Sequence, residues 1–381
     1  MMSAISAKIH NKNASVIILE RNNEIGKKLK LTGGGRCNVT ANVSNQIVIE
    51  STPKNGKFLF SSLSNFNTLD IQNFFIKEGC QLIVEEHNRV FPKSGKSIDI
   101  INTLLEKVKS LDIEILYNTL VNQIDIETKT LMSSSGNIHY DYLIIATGGK
   151  TYPHTGSDGI GYEIAKKIGH SITDLIPAEV PLVSNDIFIQ NKTLQGLSFK
   201  DLRVDILYNN KVKKSIVHDL IFTHFGLSGP AALRASFYVQ NILEKEQPVK
   251  LHIDFLPSTS FDELLIYKEN ELFDFFSNRQ LPKRLISYIK EISNSTEDII
   301  RNIKKFEINI YTTRGFNQAF VTNGGISLKE IDPKTMKSKL NDYVSFCGEI
   351  LDMNSYTGGF NITSAFTTGY TAGKFALSNK N

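Results

Sequence analysis

Apolar and polar positions alternate in two different textures along the chain. Val16-Ile17-Ile18-Leu19 is an unbroken apolar run of strand length, ended by Glu20, and reads as a buried parallel strand. The ten residues that open the sequence place small and apolar side chains at helical spacing, as in a helix packed tightly on a sheet. Helical periodicity returns over 68–78 and 97–110, separated by Gln81 to Val84 and by Arg89-Val90-Phe91-Pro92. The segments 113–117, 119–126, 129–132 and 138–146 read as strands, with a turn at Ser134-Ser135-Gly136-Asn137. Tyr142-Leu143-Ile144-Ile145-Ala146 is a second fully buried strand, running into Thr147-Gly148-Gly149, and Gly156-Ser157-Asp158-Gly159 precedes a helix to Gly169.

The texture changes near Pro177. From about Leu182 the chain is β-rich, with turns at Asn185, Gly196 and Asn209-Asn210. Ser260-Phe261-Asp262-Glu263 is a capping box that opens a helix, and charged helical patterns follow. This middle third lacks both the glycine loops and the α/β alternation of its flanks, so it reads as an insertion. The α/β texture resumes with the strand Tyr343-Val344-Ser345-Phe346-Cys347 and a small-residue helix over 362–374. The expected division is one α/β domain made of 1–182 and 322–381. It is interrupted by a β-barrel-like and helical insertion at 183–321, with its helical part at about 257–316.

Candidate chemistry gathers in the flanks. Thr32-Gly33-Gly34-Gly35-Arg36-Cys37-Asn38 is the densest glycine run, and bare N–H groups beside a fixed cation suit an anion such as a pyrophosphate. It is neither a dinucleotide fingerprint, because Asn38 stands where a third glycine would be needed, nor a Walker loop. A helix, a buried strand and Glu20 at its end form the second half of a Rossmann βαβ unit, in which the acid bonds a ribose hydroxyl about 20 residues after the glycine turn. Counting back by that rule places the first strand and its glycine turn before Met1, so the α/β domain is expected to be N-terminally truncated. Gly148 and Gly149 follow a strand end where flavoenzymes bring backbone near their cofactor, although a plain strand-to-loop turn fits equally. Glu349, Asp352 and Gly358-Gly359-Phe360-Asn361 precede the last helix, whose start offers free N–H groups and a positive dipole.

Charge and cysteine content narrow the classes. The net charge of +4 over 381 residues is small and scattered, which argues against a nucleic-acid partner; Lys211-Val212-Lys213-Lys214 reads as a solvated hairpin. Three isolated cysteines without a C-x-x-C fit neither a zinc site nor a disulfide scaffold, and suit a reducing cytoplasm. No metal is expected. No apolar run approaches the roughly 20 residues of a membrane span, and no signal peptide is evident, so no membrane partner is expected.

The glycine run, extended as Lys28-Leu29-Lys30-Leu31-Thr32-Gly33-Gly34-Gly35-Arg36-Cys37-Asn38-Val39-Thr40, resembles the signature of the bacterial YhiN/BaiN-like flavoproteins, also labelled aminoacetone oxidase-like. Arg89-Val90-Phe91-Pro92, Ala146-Thr147-Gly148-Gly149-Lys150-Thr151-Tyr152-Pro153, Phe222-Thr223-His224-Phe225-Gly226-Leu227-Ser228-Gly229-Pro230, Val321-Thr322-Asn323-Gly324-Gly325-Ile326, Thr335-Met336-Lys337-Ser338-Lys339 and the 348–361 block continue it in order. The loop departs slightly, with Ala41 before Asn42. The resemblance implies a Rossmann-like FAD-binding domain with an inserted barrel and helices. By residue it implies that Glu20 holds the adenosine ribose and that Lys28, Thr32, Gly33, Gly34, Gly35, Arg36, Cys37 and Asn38 lie along the FAD. Val121 would offer backbone to the adenine edge, and Gly148, Gly149, Glu349, Asp352, Gly358, Gly359 and Asn361 would hold the remainder.

The function so implied is hydride transfer between flavin and a small organic substrate, of enone reductase or amine oxidase type, with NAD(P)H as donor or oxygen as acceptor. His224 is a weak candidate general acid or base, since a structural histidine in a turn is the better reading, and Tyr152 is weaker again. Cys37 and Cys347 read as packing residues. Two other readings stand beside this one: a truncated, non-catalytic chain, and an FAD-binding regulatory protein without turnover. In the flavoprotein reading, Arg36→Ala is expected to weaken FAD retention.

Overall fold

The structure is a computed structural model that describes residues 1–378. It divides into two compact units, Met1–Pro177 with Val321–Asn381, and Ala178–Phe320.

The α/β unit begins with α1 (Met2–His10), β1 (Ile17–Leu19), α2 (Lys27–Leu31) and β2 (Thr40–Ala41). Helices α3 (Asn45–Glu50), α4 (Phe60–Asn65) and α5 (Thr68–Lys77) follow, then β3 (Leu82–Glu85), β4 (Arg89–Pro92) and α6 (Ser97–Ser110). Next come β5 (Glu114–Leu116), β6 (Val121–Asp125), β7 (Thr130–Ser133), β8 (Gly136–His139), β9 (Leu143–Ile145), α7 (Ile160–Lys167) and β10 (Ile176–Ala178). The expected 138–146 strand is two strands, because the chain breaks its ladder at Tyr140-Asp141-Tyr142 between β8 and β9. Among the described residues β1 pairs in parallel with β5 only, and Ile17 is 43% exposed, so this strand is half-buried rather than fully buried. The β9 strand is likewise only partly buried.

The barrel unit carries β11 (Leu182–Ser184), α8 (Ile187–Gln190), β12 (Ser198–Tyr208), β13 (Lys211–Phe222), β14 (Gly226–Ser228), α9 (Pro230–Leu243) and β15 (Val249–Asp254). Four helices follow: α10 (Phe261–Leu265), α11 (Glu269–Asn278), α12 (Lys283–Glu291) and α13 (Thr296–Lys304). β16 (Phe306–Thr313) then closes a six-stranded barrel in the order β11-β14-β13-β12-β15-β16. The Ser260 capping box is present, its hydroxyl accepting from the Glu263 N–H at 3.1 Å. Two expectations fail here. The helical part stops at Lys304, because Phe306-Glu307-Ile308-Asn309-Ile310 alternates inward and outward with the period of a strand. The β part also contains a 14-residue helix, α9, whose Pro230 sits in the first turn where its missing N–H costs nothing.

The chain re-enters the α/β unit with β17 (Val321–Asn323), β18 (Val344–Phe346) and α14 (Phe360–Phe375). β18 pairs in parallel with β9, so the parallel strands of this unit form two separate two-stranded sheets. α14 packs on α1 so closely that a side chain at Gly373 would lie 2.1 Å from the Ser3 carbonyl.

Candidate functional site

The glycine loop has an unusual backbone. Gly33, Gly34 and Gly35 take φ of 57°, 67° and 86°, and Cys37 takes 60°. A side chain on Gly33 would meet the Asn38 nitrogen at 2.9 Å, whereas nothing lies within 4 Å of the side-chain position of Gly34. The loop is therefore closed on one side and open at Gly34. The Cys37 N–H donates to the Thr32 carbonyl at 2.9 Å. Burial pushes the Cys37 and Cys347 thiols up to about 11, and all three cysteines are free and buried, which suits packing rather than redox work.

Arg36 turns to the β3–β4 hairpin. It forms an ion pair with Glu85, whose carboxyl it holds below the usual range, and its guanidinium lies 4.1 Å from the centre of the Phe91 ring. Asn38 is buried, and its Oδ1 has no hydrogen-bond partner among the described residues. A side chain on Gly359 would sit 2.9 Å from that oxygen and 2.6 Å from the Thr40 carbonyl. The Thr40 and Thr363 hydroxyls share a hydrogen bond of 2.7 Å. The first glycine loop and the start of α14, distant in sequence, thus face each other. α14 has no side-chain cap and begins after Gly359 at φ 95°, so its first N–H groups are left for another acceptor.

A second group forms around Glu349. Lys28 Nζ reaches Glu349 Oε2 at 2.6 Å and the Thr151 hydroxyl at 2.8 Å. Glu349 Oε1 accepts from the Thr322 N–H at 3.0 Å, and the Thr322 hydroxyl accepts from the Lys150 N–H at 2.7 Å. Gly149 must be glycine here, since a side chain would lie 2.5 Å from Thr322 Oγ1 and 2.9 Å from Glu349 Oε1. Gly148 lies one position before, with its own side-chain position 4.0 Å from Glu349 Oε2. Both Glu349 oxygens are therefore held by protein donors.

The remaining residues occupy neighbouring positions on these segments. Glu20 Oε1 accepts from the Asn22 backbone and side-chain amides, both at 2.8 Å, and Asn22 Nδ2 also donates to the Thr155 carbonyl at 3.0 Å. The loop from Gly148 to Thr155 thus touches the Glu20 end and the Glu349 end. Asp352 pairs with Lys54 at 2.7 Å. The Asn361 side chain is spent on Ser355, accepting from its N–H at 2.8 Å and donating to its carbonyl at 2.6 Å, so it shapes the turn before α14. Val121 opens β6, half-buried, opposite Ser133. His224 lies in the other unit, exposed in the turn between β13 and β14 with its ring edge-on to Phe225.

Sequence reasoning passed over Asn22, Lys54, Thr151 and Thr322. Thr151 and Thr322 stood inside segments that bore the family resemblance, but a lone threonine carries no sign of the carboxylate it will hold.

The sequence model of the family described as "HI0933-like protein Rossmann domain" matches residues 1–375. A 3-dehydro-bile acid delta(4,6)-reductase of Clostridium scindens is 27% identical, covering 99% of this chain and 96% of that protein. A ribosomal RNA dihydrouridine synthase of Haemophilus influenzae is 29% identical, covering 96% and 93%. Among solved structures, a mutant of the E. coli quinol fumarate reductase FrdA is 12% identical with a TM-score of 0.53, over 100% of this chain and 69% of that one. That last likeness concerns the fold alone.

Proposed function

The chain belongs to the HI0933-like family, and it is an FAD-dependent oxidoreductase with a Rossmann-like domain; from that premise we propose that it reduces a carbon–carbon double bond conjugated to a carbonyl. One observation carries this reading. The two relatives are named for different substrates, yet each name describes the same bond change. A delta(4,6)-reductase acting on a 3-dehydro compound saturates an enone. Dihydrouridine is uridine saturated at the bond conjugated to its C4 carbonyl.

The residues present fit the cofactor. The buried, unpaired Asn38 Oδ1 requires a donor, the peptides at Gly34 stand open, and the uncapped start of α14 offers N–H groups to an anion. Bound FAD supplies two-electron exchange at its flavin ring. The chain supplies the holding: Glu20 for the adenosine ribose; Thr32, Gly33, Gly34, Gly35 and Asn38 along the cofactor; the Gly358–Gly359 turn and the α14 start for negative charge. Lys28, Thr151 and Thr322 fix Glu349, so that Gly148 and Gly149 present their backbone in one arrangement. His224 remains the candidate acid or base. A small-molecule substrate, a nicotinamide donor and a cytoplasmic site complete the proposal; among the described residues no helix is long and apolar enough to cross a membrane.

The test is anaerobic. Protein reconstituted with FAD and reduced is mixed in turn with a steroid 4-en-3-one, free uridine, a uridine-containing RNA and a primary amine. Flavin reoxidation by one of the conjugated carbonyl compounds is the expected result, and the RNA arm probes the expected lack of a nucleic-acid partner. Reoxidation by none of them, with oxidised flavin instead bleached by the amine, would replace this reading with an amine oxidase.

A further inference from the structure

The segment that carries Asp352 and leads to α14 is held by a strap from the first part of the chain. Residues 51–55 run antiparallel to 352–356. The Tyr356 N–H donates to the Ser51 carbonyl at 2.8 Å, the Thr52 and Ser355 hydroxyls meet at 2.6 Å, and Lys54 bridges Asn354. At the end of the strap, Asn55 takes the left-handed conformation at φ 63°, and its side-chain amide donates to the Asp352 carbonyl at 2.8 Å. Gly56 follows because a side chain there would lie 2.2 Å from the Ile49 carbonyl. This geometry delivers Lys54 Nζ to Asp352 Oδ1 at 2.7 Å, with 7% of the Asp352 side chain exposed against 35% of the lysine.

A carboxylate so buried needs a partner, and it has one strong charge-assisted bond, on one oxygen. The Asn55 amide approaches Oδ2 only at 3.5 Å. Two residues on, the buried Asn354 Oδ1 has no partner among the described residues. One edge of Asp352 is thus fixed by the protein while the neighbouring acceptors remain short of donors. A polyol chain supplies hydroxyl donors of the right kind.

We infer that Lys54 is a cofactor-positioning residue, which acts through Asp352 to hold that carboxylate with its second oxygen turned to the ribityl hydroxyls of FAD. The inference rests on the flavoprotein reading. Lys54 touches no cofactor atom in this scheme; it sets the rotamer of the group that does. Asn55 assists by fixing the backbone under Asp352.

The test compares wild type, Lys54→Met, Lys54→Arg and Asn55→Gly by titrating FAD into apoprotein and following flavin fluorescence. The melting temperature of each apoprotein and the flavin midpoint potential are measured beside it. Lys54→Met is expected to weaken FAD binding about tenfold, the scale of one hydrogen bond to a charged group. It should also shift the potential to more negative values, because Asp352 loses its countercharge. Lys54→Arg should restore most of both. Asn55→Gly keeps the left-handed backbone, so it should fold even where Lys54→Met does not, and should weaken FAD binding by a smaller factor. An apoprotein melt that falls while FAD affinity and potential stay at wild-type values, in whichever of the two variants folds, overturns the inference and leaves the pair a brace of the fold. A wild type that takes up no FAD would instead remove the flavoprotein reading itself.

Discussion

The barrel unit and the α/β unit use their buried groups in opposite ways. In the barrel unit, one continuous apolar cluster runs from Leu182 to Ile310 through every barrel strand and α9. Its buried carboxylate Asp254 meets Lys304 at 2.8 Å, and that ammonium also donates to the Leu256 carbonyl at 2.6 Å. Gly226 and Gly229 permit close strand contacts there; a side chain at Gly226 would lie 2.3 Å from the Leu182 carbonyl. In the α/β unit the apolar core is split between two clusters. Asn38, Asn323 and Asn354 each leave a buried neutral carbonyl oxygen without a partner among the described residues, whereas in the barrel unit Arg203 Nε and Asp254 Oδ2, which also lack a hydrogen bond, belong to charged groups that sit in ion pairs. Folded domains rarely leave buried polar atoms unpaired, and the exceptions gather where a ligand completes them. The difference marks one unit as a stable body and the other as a body built for an occupant.

The largest expected effects separate these two roles. Leu251 is fully buried in the barrel, and Leu251→Ala should lower unfolding free energy by about 2–5 kcal/mol while leaving the FAD dissociation constant of the folded protein within about twofold of wild type. Gly359→Ala places a side chain 2.6 Å from the Thr40 carbonyl at φ 95°, and should weaken FAD binding by about a hundredfold or more, roughly 2.7 kcal/mol. Urea melts of the apoproteins and FAD titrations measure both. A Leu251→Ala protein that also loses FAD would erase the distinction between the units.

A smaller effect depends on pH and belongs to the α/β unit. His170 is buried edge-on to Phe346, with Nδ1 3.0 Å from Glu330 Oε2 and Nε2 2.9 Å from the Ser338 hydroxyl. That hydroxyl already accepts from the Leu340 and Asn341 N–H groups, so it must donate to His170, which is therefore neutral. Burial lowers the His170 pKa, the Glu330 contact opposing it. A histidine whose folded pKa is lowered contributes stability that is complete above its unfolded value, about 6.5, and is lost as pH falls through the folded value. Melting temperature should accordingly drop on going from about pH 7.5 to about pH 5.5, and the drop should shrink in His170→Gln. An equal drop in the variant would mean that other groups cause the acid sensitivity.

Sequence alone disclosed the cofactor unit better than the barrel unit, and for physical reasons. Glycine runs and strand-end acids are rare enough to stand out, and so Gly33, Gly149, Glu349 and Gly359 were legible without coordinates. What holds them was not. The Thr151 hydroxyl meets Lys28 across 123 residues and Glu349 across 198, the Thr322 hydroxyl meets Lys150 across 172, and Lys54 reaches Asp352 across 298. The helix α9 was hidden because its opening apolar stretch, Ala231-Ala232-Leu233, is short enough to suit a strand as well, although Gly229-Pro230 stands at its start. β16 shows the reverse error: its alternation was visible in Phe306, Ile308 and Ile310 but merged with the helical stretch before it.

The smallest expected effect concerns the residue that looked most suited to a phosphate. Arg36 adjoins three glycines, and its place in the chain suits a fixed cation for FAD. In the structure its guanidinium is fixed, but by Glu85 and the Phe91 ring. Both partners lie in the β3–β4 segment, and the ion pair is substantially exposed. Exposed pairs contribute little, and a guanidinium stacked on an aromatic face is costly to redirect. Arg36→Ala should therefore weaken FAD binding by less than about threefold, consistent with a residue that stiffens the loop from outside. Phe91→Leu, which removes the stacking surface but keeps the glycine loop, should have an effect of the same small size. If Arg36→Ala instead weakens FAD binding about tenfold or more while Phe91→Leu does not, Arg36 exchanges Glu85 for the cofactor on binding, and the loop grips its ligand by charge as well as by backbone.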